Sequence, residues 1–302
     1  MAMAMALSCC ALSPVVMVAS SHRLSFSLSL SRFKPSSSVS PSRHAHRSFT
    51  GIRASNSSSS SPPSSPEVYR GVYGPWSVDS ADVREVVLYR AGLVTAATTF
   101  VAAASTALLP DDNAVKSLIQ SLYDPLFVIG AGGLGASLFL IHIYVTPIKR
   151  TLQALWAVGV LGSLGIAVNF AAPVNQGLVE FVLNNPPAIW AVGPLFASLT
   201  GLVFKEGLCY GKLEAAALFF VIPSVLLGRL SGLMDDEVQL GLLAAWMALF
   251  AVFASRKFTQ PIKDDIGDKS VFMFNALPED AKQALLQQLQ EQQAPQQEGR
   301  VD

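Results

Sequence analysis

The segment PLFVIGAGGLGASLFLIHIYV, residues 125–145, runs for 21 residues without an Asp, Glu, Lys or Arg. A helix of about 20 mostly apolar residues crosses the roughly 30 Å hydrocarbon core of a bilayer. Five more stretches are mostly apolar, and they cover residues 88–109, 152–172, 188–204, 213–228 and 238–254. The sequence therefore predicts an all-α fold, a polytopic membrane helix bundle of about six transmembrane helices, in a domain spanning residues 88–255.

The last three of these stretches are short. They contain 16–17 residues each, which is near the lower limit for crossing, so a re-entrant segment stays open as an interpretation. Pro194 and Pro223 are predicted to interrupt the fourth and fifth spans, and Asn169 is a polar group inside the third. Broken helices of this kind are typical of transporters.

The first 54 residues predict a chloroplast transit peptide. Residues 1–66 contain six Lys or Arg, many Ser and no Asp or Glu, which is the composition of an organelle-targeting segment. Pro35 and Pro41 would break the amphipathic helix of a mitochondrial presequence, so plastid import is favoured. Residues 55–87 are then a Ser/Pro-rich linker and an interfacial lead-in.

Charge predicts the orientation of the spans. The chain is 51% hydrophobic and 14% charged, whereas soluble domains carry about 25% charged residues. With six spans both termini share a side, and basic residues mark the side that is not translocated. That side holds Arg70, Arg84, Arg90, Lys149, Arg150, Lys205, Lys212, Arg256, Lys257, Lys263 and Lys269, and the other holds Lys116 and Arg229. Both termini are therefore predicted to be stromal, and charge alone does not separate the thylakoid from the inner envelope.

Removal of the transit peptide would leave 15 basic residues (21 minus six) against 21 acidic ones. An acidic chain lacks the basic footprint that nucleic-acid binding needs. Cys209 would be the one remaining cysteine, which excludes an intrachain disulfide and a Cys-based metal site. The predicted partners are the lipid bilayer and other thylakoid membrane proteins.

The tail at residues 256–302 is predicted to be stromal and to contain one short amphipathic helix. Pro278 suits the first position of that helix, which would extend to about Gln293. Ala281, Leu285 and Leu289 recur every four residues and form an apolar stripe. The stripe would dock on the protein's own stromal loops or on a partner.

Glycine-rich stretches on the second and third spans predict close packing of helices. Residues 130–135 match the GxGxxG pattern, but a dinucleotide site needs that pattern at a strand-to-helix turn with an acid about 20 residues on. Here it lies inside an apolar run and is followed by Lys149 and Arg150. Small residues let membrane helices approach each other. The predicted packing residues are Gly130, Gly132, Gly133, Gly135, Gly159, Gly162 and Gly165.

His142 is the one histidine after the predicted transit peptide. It could ligate the magnesium of a chlorophyll, or it could be hydrogen-bonded to a neighbouring helix or water near the interface. Lys205-Glu206 and Lys212-Glu214 are predicted to be exposed, ion-paired flanks. Arg229 is predicted to be neutralised by the acids at 235–237. The sequence contains no catalytic motif, and no catalytic residue, metal site or cofactor other than a possible chlorophyll is predicted.

Several motifs resemble an uncharacterised family of integral membrane proteins of cyanobacteria and plant chloroplasts, known as a domain of unknown function. They are the segments at 71–77 (GVYGPWS), 88–94 (LYRAGLV), 124–125 (DP) and 204–207 (FKEG). The resemblance covers about Tyr69–Leu286. It implies a plastid protein of cyanobacterial descent, in the thylakoid rather than the inner envelope, and brings no catalytic residues with it.

Three functions are compatible with these features. The first is a non-enzymatic thylakoid protein that assists the assembly or stability of a photosynthetic membrane complex. The second is a small-solute or ion transporter of the thylakoid or inner envelope. The third is a pigment-binding protein that uses His142.

Overall fold

A computed structural model describes residues 67–298, and it describes their side chains except at 209–210 and 292–298. The predicted transit peptide at 1–54 and the linker residues 55–66 lie outside the described residues. Within them the chain is mostly helical, and the predicted helix bundle is confirmed.

The chain starts with an antiparallel hairpin, β1 (Val68–Gly71) and β2 (Gly74–Ser77). The helices that follow are α1 (Ser80–Ser105), α2 (Ala114–Ser121), α3 (Tyr123–Leu140), α4 (Thr146–Ile166), α5 (Leu178–Asn184), α6 (Ile189–Tyr210), α7 (Leu213–Ser231), α8 (Asp236–Arg256), α9 (Ile262–Ile266), α10 (Lys269–Asn275) and α11 (Glu279–Glu298). Six of them, α1, α3, α4, α6, α7 and α8, are long and apolar enough to cross a membrane. The six predicted spans are therefore confirmed.

The last three spans are longer than the apolar stretches suggested. Helices α6, α7 and α8 contain 22, 19 and 21 residues, because their end turns carry charged residues that a hydropathy count leaves out. Pro194 and Pro223 lie inside α6 and α7, so the prediction that they interrupt these spans is wrong. Prolines are tolerated in membrane helices where neighbouring groups satisfy the freed carbonyls.

The third span changes its winding near its end. Helix α4 continues as a π-helical turn at Ala167–Ala171 and a 3-10 turn at Ala172–Val174. The side-chain amide of Asn169 donates to the carbonyl of Gly165 at 2.9 Å. The polar group predicted inside this span is therefore satisfied within its own helix.

The six spans pack in a ring in the order α1, α3, α4, α6, α7 and α8, and α8 returns to α1. Helices α1 and α3 approach closely where Gly92 faces Gly133. Next to this contact, the Ser137 hydroxyl donates to the carbonyl of Tyr89 at 2.9 Å. Leucine and phenylalanine side chains that are fully buried fill part of the interior of the ring.

We call one end of the bundle the terminal face, formed by residues 67–79, 141–145, 211–212 and 257–275, and the other end the opposite face, formed by residues 109–122, 175–188 and 232–235. The hairpin and α10 meet at the terminal face. Tyr73 stacks on Phe274 with ring centroids 3.9 Å apart. The amide of Val72 donates to Asp268 at 2.7 Å. This meeting agrees with an even number of spans.

Both segments that flank the spans are more ordered than the sequence suggested. The predicted interfacial lead-in is a hairpin followed directly by the first turns of α1. The tail forms α9 and α10 before the predicted amphipathic helix, which is α11. Leu285 and Leu289 are partly exposed on α11, and its docking stays a prediction.

Candidate functional site

Six ionisable side chains meet at the terminal face, and we call them the ionic cluster. They are Arg90, Lys205, Glu206, Lys212, Lys257 and Asp265. Glu206 is 0% exposed, and Lys257 and Asp265 are each 2% exposed. Charged side chains are seldom buried this deeply unless they are paired, so their partners decide whether the arrangement is stable.

Glu206 on α6 is the centre of the cluster. Its Oε2 accepts hydrogen bonds from Nζ of Lys212 at 2.7 Å and of Lys257 at 2.9 Å. Its Oε1 accepts from the hydroxyl of Tyr89 at 3.1 Å. Nζ of Lys205 lies 3.5 Å from the same oxygen. One carboxylate thus joins α1, α6, the loop before α7 and the end of α8.

Asp265 brings α9 into the cluster. Its Oδ1 accepts from Nζ of Lys257 at 2.5 Å and from the amide of Gln260 at 3.2 Å. Its Oδ2 accepts from Nε of Arg90 at 2.6 Å. Lys257 therefore bridges Glu206 and Asp265, and this bridge fastens the tail to the bundle.

The cluster contains more cations than acids. Its four cations and two acids give a formal charge of +2 (four minus two). Burial is the largest effect on Lys212 and lowers its pKa below the ordinary lysine value, while Glu206 acts in the opposite direction. Removing one partner from such a group leaves a buried charge uncompensated. The cluster therefore fixes the helix ends at the terminal face relative to one another.

The prediction that Lys205-Glu206 and Lys212-Glu214 are exposed flanks is wrong, although the ion pairs are present. Helix α9 packs against α1, and Glu206 is fully buried among its cationic partners. Glu214 is also buried, and its Oε1 lies 2.9 Å from Nε of Arg256 without a hydrogen-bonding angle. The sequence analysis did not identify this site; the one signal that could have pointed to it is the segment at 204–207, a motif of the family resemblance.

A second ion network joins α10 to the start of α1. Nζ of Lys269 donates to Asp79 at 2.8 Å and to Asp82 at 2.6 Å. Asp79 also caps α1, because its carboxylate accepts from the backbone amides of Ala81 and Asp82. The hydrogen bond from Lys269 lowers the pKa of Asp79 to about 2. Asp79 is therefore ionised at neutral pH.

His142 lies in the loop after α3, because that helix ends at Leu140 and does not continue to residue 145 as predicted. Its Nε2 is 3.5 Å from Oε2 of Glu85, and its ring meets the edge of Phe272 on α10. Burial lowers the pKa of His142, and Glu85 acts in the opposite direction. Ligation of a chlorophyll magnesium by Nε2 would require Glu85 to move.

The glycines predicted to pack helices fall into two groups. For five of them a Cβ would collide with a neighbouring helix. These are Gly130 (against Phe100 of α1), Gly133 (against Gly92 of α1), Gly135 (against Trp156 of α4), Gly159 (against Leu195 of α6) and Gly162 (against Ala191 of α6). For Gly132 and Gly165 a Cβ would meet no described atom within 4 Å. For these two the packing role stays a prediction, because no other span approaches them among the described residues.

A cavity of about 560 Å³ lies in the half of the bundle nearer the opposite face. It is enclosed by the last turns of α1 and α7, the first turns of α3, α6 and α8, and the short helices α2 and α5. Sixteen of its 23 lining residues are apolar, so it suits the apolar part of a ligand. Phe100 forms part of its floor, with ring centroids 6.2 Å from Phe127 and 5.5 Å from Phe196.

The remaining seven lining residues are polar or charged, and we call them the rim. The rim consists of Thr106, Lys116, Gln120, Tyr123, Arg229, Asp236 and Gln239. Nζ of Lys116 lies 2.6 Å from Oδ1 of Asp111. The guanidinium of Arg229 donates to the carbonyl of Leu183 at 2.6 Å. The prediction that the acids at 235–237 neutralise Arg229 is not met among the described residues, where no carboxylate lies within ion-pair distance of it.

Residues 136–274 match the model of an uncharacterized integral membrane protein family, DUF2301. The family resemblance inferred from the sequence is confirmed over this segment. Its distribution among cyanobacteria and chloroplasts stays a prediction. No curated protein matches the chain. No solved structure matches it either.

The DUF2301 segment extends from the second half of α3 to near the end of α10. It therefore contains every member of the ionic cluster except Arg90. It also contains the α5, α6, α7 and α8 walls of the cavity, but not the lining residues of α1, α2 or α3. The family is uncharacterised, so the function must be inferred from these two features of the chain itself.

Proposed function

We propose that this protein is a non-enzymatic, multi-pass plastid membrane protein that binds an amphiphilic small molecule in the cavity. The observation that carries the proposal is a large, mostly apolar cavity with a polar rim at one end of the bundle. Ligand pockets typically measure about 300–1,000 Å³, are mainly apolar and contain a few polar groups that orient the ligand.

The close-packed side chains between the cavity and the terminal face favour ligand binding over transport of a solute through the bundle. Leu199, Leu202 and Phe250 are 0% exposed, and they lie between the cavity and the terminal face. The ionic cluster then ties the helix ends together. A solute would have to displace close-packed side chains and separate buried ion pairs in order to pass. A ligand that enters from the opposite face would instead be held there.

The location is part of the proposal. The acid-free, Ser-rich residues 1–54 support import into a plastid, and the basic terminal face supports stromal termini. A bound amphiphile would suit a protein that assists a photosynthetic membrane complex, which is the role predicted from the sequence. Comigration of the imported protein with such a complex on native gels would support that role, and migration as a separate particle would count against it.

Variants that fill the cavity test the binding function. Ala103 on α1 and Val225 on α7 both line the cavity, so Ala103→Phe and Val225→Phe place a ring inside it. Val158→Phe is the matched control, because Val158 is 56% exposed on α4, which contributes no lining residue.

The assay uses the full chain in nanodiscs of phosphatidylcholine, with a fluorescent long-chain alcohol as the neutral probe. We expect both cavity variants to weaken probe binding by about tenfold or more, since about 1.4 kcal/mol of lost contact is sufficient. The control should bind like the wild type. Equal binding by all four proteins, or no saturable binding by the wild type, would overturn the proposal.

A further inference from the structure

Arg229 differs from the other cation at the rim of the cavity. The charge of Lys116 is balanced by Asp111 at 2.6 Å. Arg229 is half-buried and donates to the carbonyl of Leu183, which carries no net charge. In the part of the chain that the structure describes, no carboxylate forms an ion pair with Arg229. We propose that Arg229 binds the anionic head group of the amphiphile whose apolar chain occupies the cavity.

The chemistry of the guanidinium supports an anionic partner. Arginine keeps its charge at every physiological pH and has five N–H donors in a planar fork. The contact with Leu183 uses one of these donors. A carboxylate or phosphate head group could accept two parallel hydrogen bonds from the others, which is the strongest arrangement available to this side chain. The ligand class is therefore an amphiphile with an apolar chain and a carboxylate or phosphate head.

Asp236 also lines the rim and would repel an anion, so its effect has to be compared with that of Arg229. Asp236 is exposed at the first turn of α8, where water screens its charge and the helix N-terminus stabilises it. A charge pair near a protein surface interacts about four times more strongly than one in bulk water. The attraction of an anion to the half-buried guanidinium beside apolar walls should therefore outweigh its repulsion by Asp236.

Neutral groups of the rim could complete a head-group site. The side-chain amides of Gln120 and Gln239 line the same end of the cavity, and an amide can donate to an anionic oxygen. The Tyr123 hydroxyl is held by Thr106 at 2.5 Å, so it helps to fix the wall. Arg229 supplies the charge, and these groups supply orientation.

This inference rests on the proposed function, and a paired competition assay separates the two. Palmitate and hexadecanol have chains of the same length and differ in the charge of the head. Each competes with the fluorescent alcohol for the full chain in phosphatidylcholine nanodiscs. For the wild type we expect palmitate to compete about tenfold more strongly than hexadecanol, the effect of one charge-assisted contact. Arg229→Gln should abolish this preference, because it should weaken palmitate binding far more than hexadecanol binding.

Arg150→Gln is the matched control. Arg150 is exposed in the first turns of α4, near the terminal face, so the variant makes the same chemical change far from the cavity and should keep the preference. Arg229→Lys retains the positive charge but not the planar set of N–H donors, so it should keep part of the preference for palmitate. This variant carries the test if thermal unfolding shows that Arg229→Gln is destabilised.

A second arm identifies the source of the anion. Displacement of the probe by phosphatidylglycerol in the disc would identify a membrane lipid, and displacement by palmitate alone would identify a free acid; either result supports the inference. Equal competition by palmitate and hexadecanol in the wild type would overturn it, and so would a preference that survives in Arg229→Gln. In both cases the proposed function still stands if the cavity variants block hexadecanol.

Discussion

Replacing Glu206 with Gln tests whether the ionic cluster holds the terminal face together. Glu206 is 0% exposed and accepts hydrogen bonds from two lysines, Lys212 at 2.7 Å and Lys257 at 2.9 Å. Without its charge the cluster would contain four cations and one acid, and its formal charge would rise from +2 to +3. Removing one member of a buried ion pair typically costs about 3–5 kcal/mol. We expect a loss of unfolding free energy in that range.

Removing a cation from the cluster, in place of an acid, gives a second expected loss of stability for comparison. Lys257→Met lowers the formal charge of the cluster from +2 to +1. Glu206 then keeps Lys212, and Asp265 keeps Arg90 at 2.5 Å. Each acid loses one of its donors and retains another, so the expected loss is about 1–3 kcal/mol. Glu206→Gln should therefore be the more destabilising of the two variants.

Glu214→Gln provides the control, because it makes the same substitution in a weaker pair. Glu214 is buried, but its partner Arg256 has a side chain that is 54% exposed, so water screens the pair and we expect it to contribute about 0–1 kcal/mol. Unfolding of the three variants and the wild type would be followed by circular dichroism in mixed detergent micelles. The reasoning is refuted if Glu206→Gln costs no more than Glu214→Gln, or if Lys257→Met costs more than Glu206→Gln.

Two further predictions concern helix packing and pH. Gly159→Ala should lower the unfolding free energy by about 1–3 kcal/mol, because the new Cβ would lie 2.7 Å from Cα of Leu195. Gly165→Ala has no described atom within 4 Å of its Cβ, so it should be neutral or stabilise α4 by up to about 1 kcal/mol. Equal effects of the two variants in a thermal unfolding assay would contradict this prediction. Burial lowers the pKa of His142, so the unfolded chain binds a proton at pH values where the folded chain does not. Stability should therefore fall as the pH drops below the unfolded value of about 6.5 and level off below the folded pKa. His142→Gln should remove this dependence between about pH 7.5 and pH 5, and an unchanged melting profile in the variant would contradict it.

The spans could be predicted from the sequence because the bilayer requires a long apolar run in each of them. Residues 125–145 and the five other runs correspond to α1, α3, α4, α6, α7 and α8. The ends of the spans were less predictable, since a hydropathy count treats each charged side chain as solvent-exposed and unpaired. Lys205 and Glu206 extend α6 beyond the predicted limit because they pair with each other and because Glu206 also pairs with Lys212 and Lys257.

The cavity could not be predicted, because it depends on how the helices are rotated against one another. Ala103, Ile222 and Leu243 are ordinary apolar residues on three different spans, and their sequence positions do not show that they face a common space. The glycines show the same limit. Their spacing indicated close packing, but Gly132 points away from the neighbouring helices while Gly133, the next residue, touches Gly92.

The ionic cluster and the cavity lie at opposite ends of the bundle. This asymmetry favours entry of the proposed ligand from one side. The terminal face is held by a buried cluster whose members are up to 175 positions apart, as Arg90 and Asp265 are. The opposite face carries the cavity and Arg229, which has a polar contact but no ion pair with a described carboxylate. Opening the first end would separate several buried charges, whereas occupying the second would give a half-buried cation its counterion. Ligand entry at the opposite face is therefore the energetically easier route.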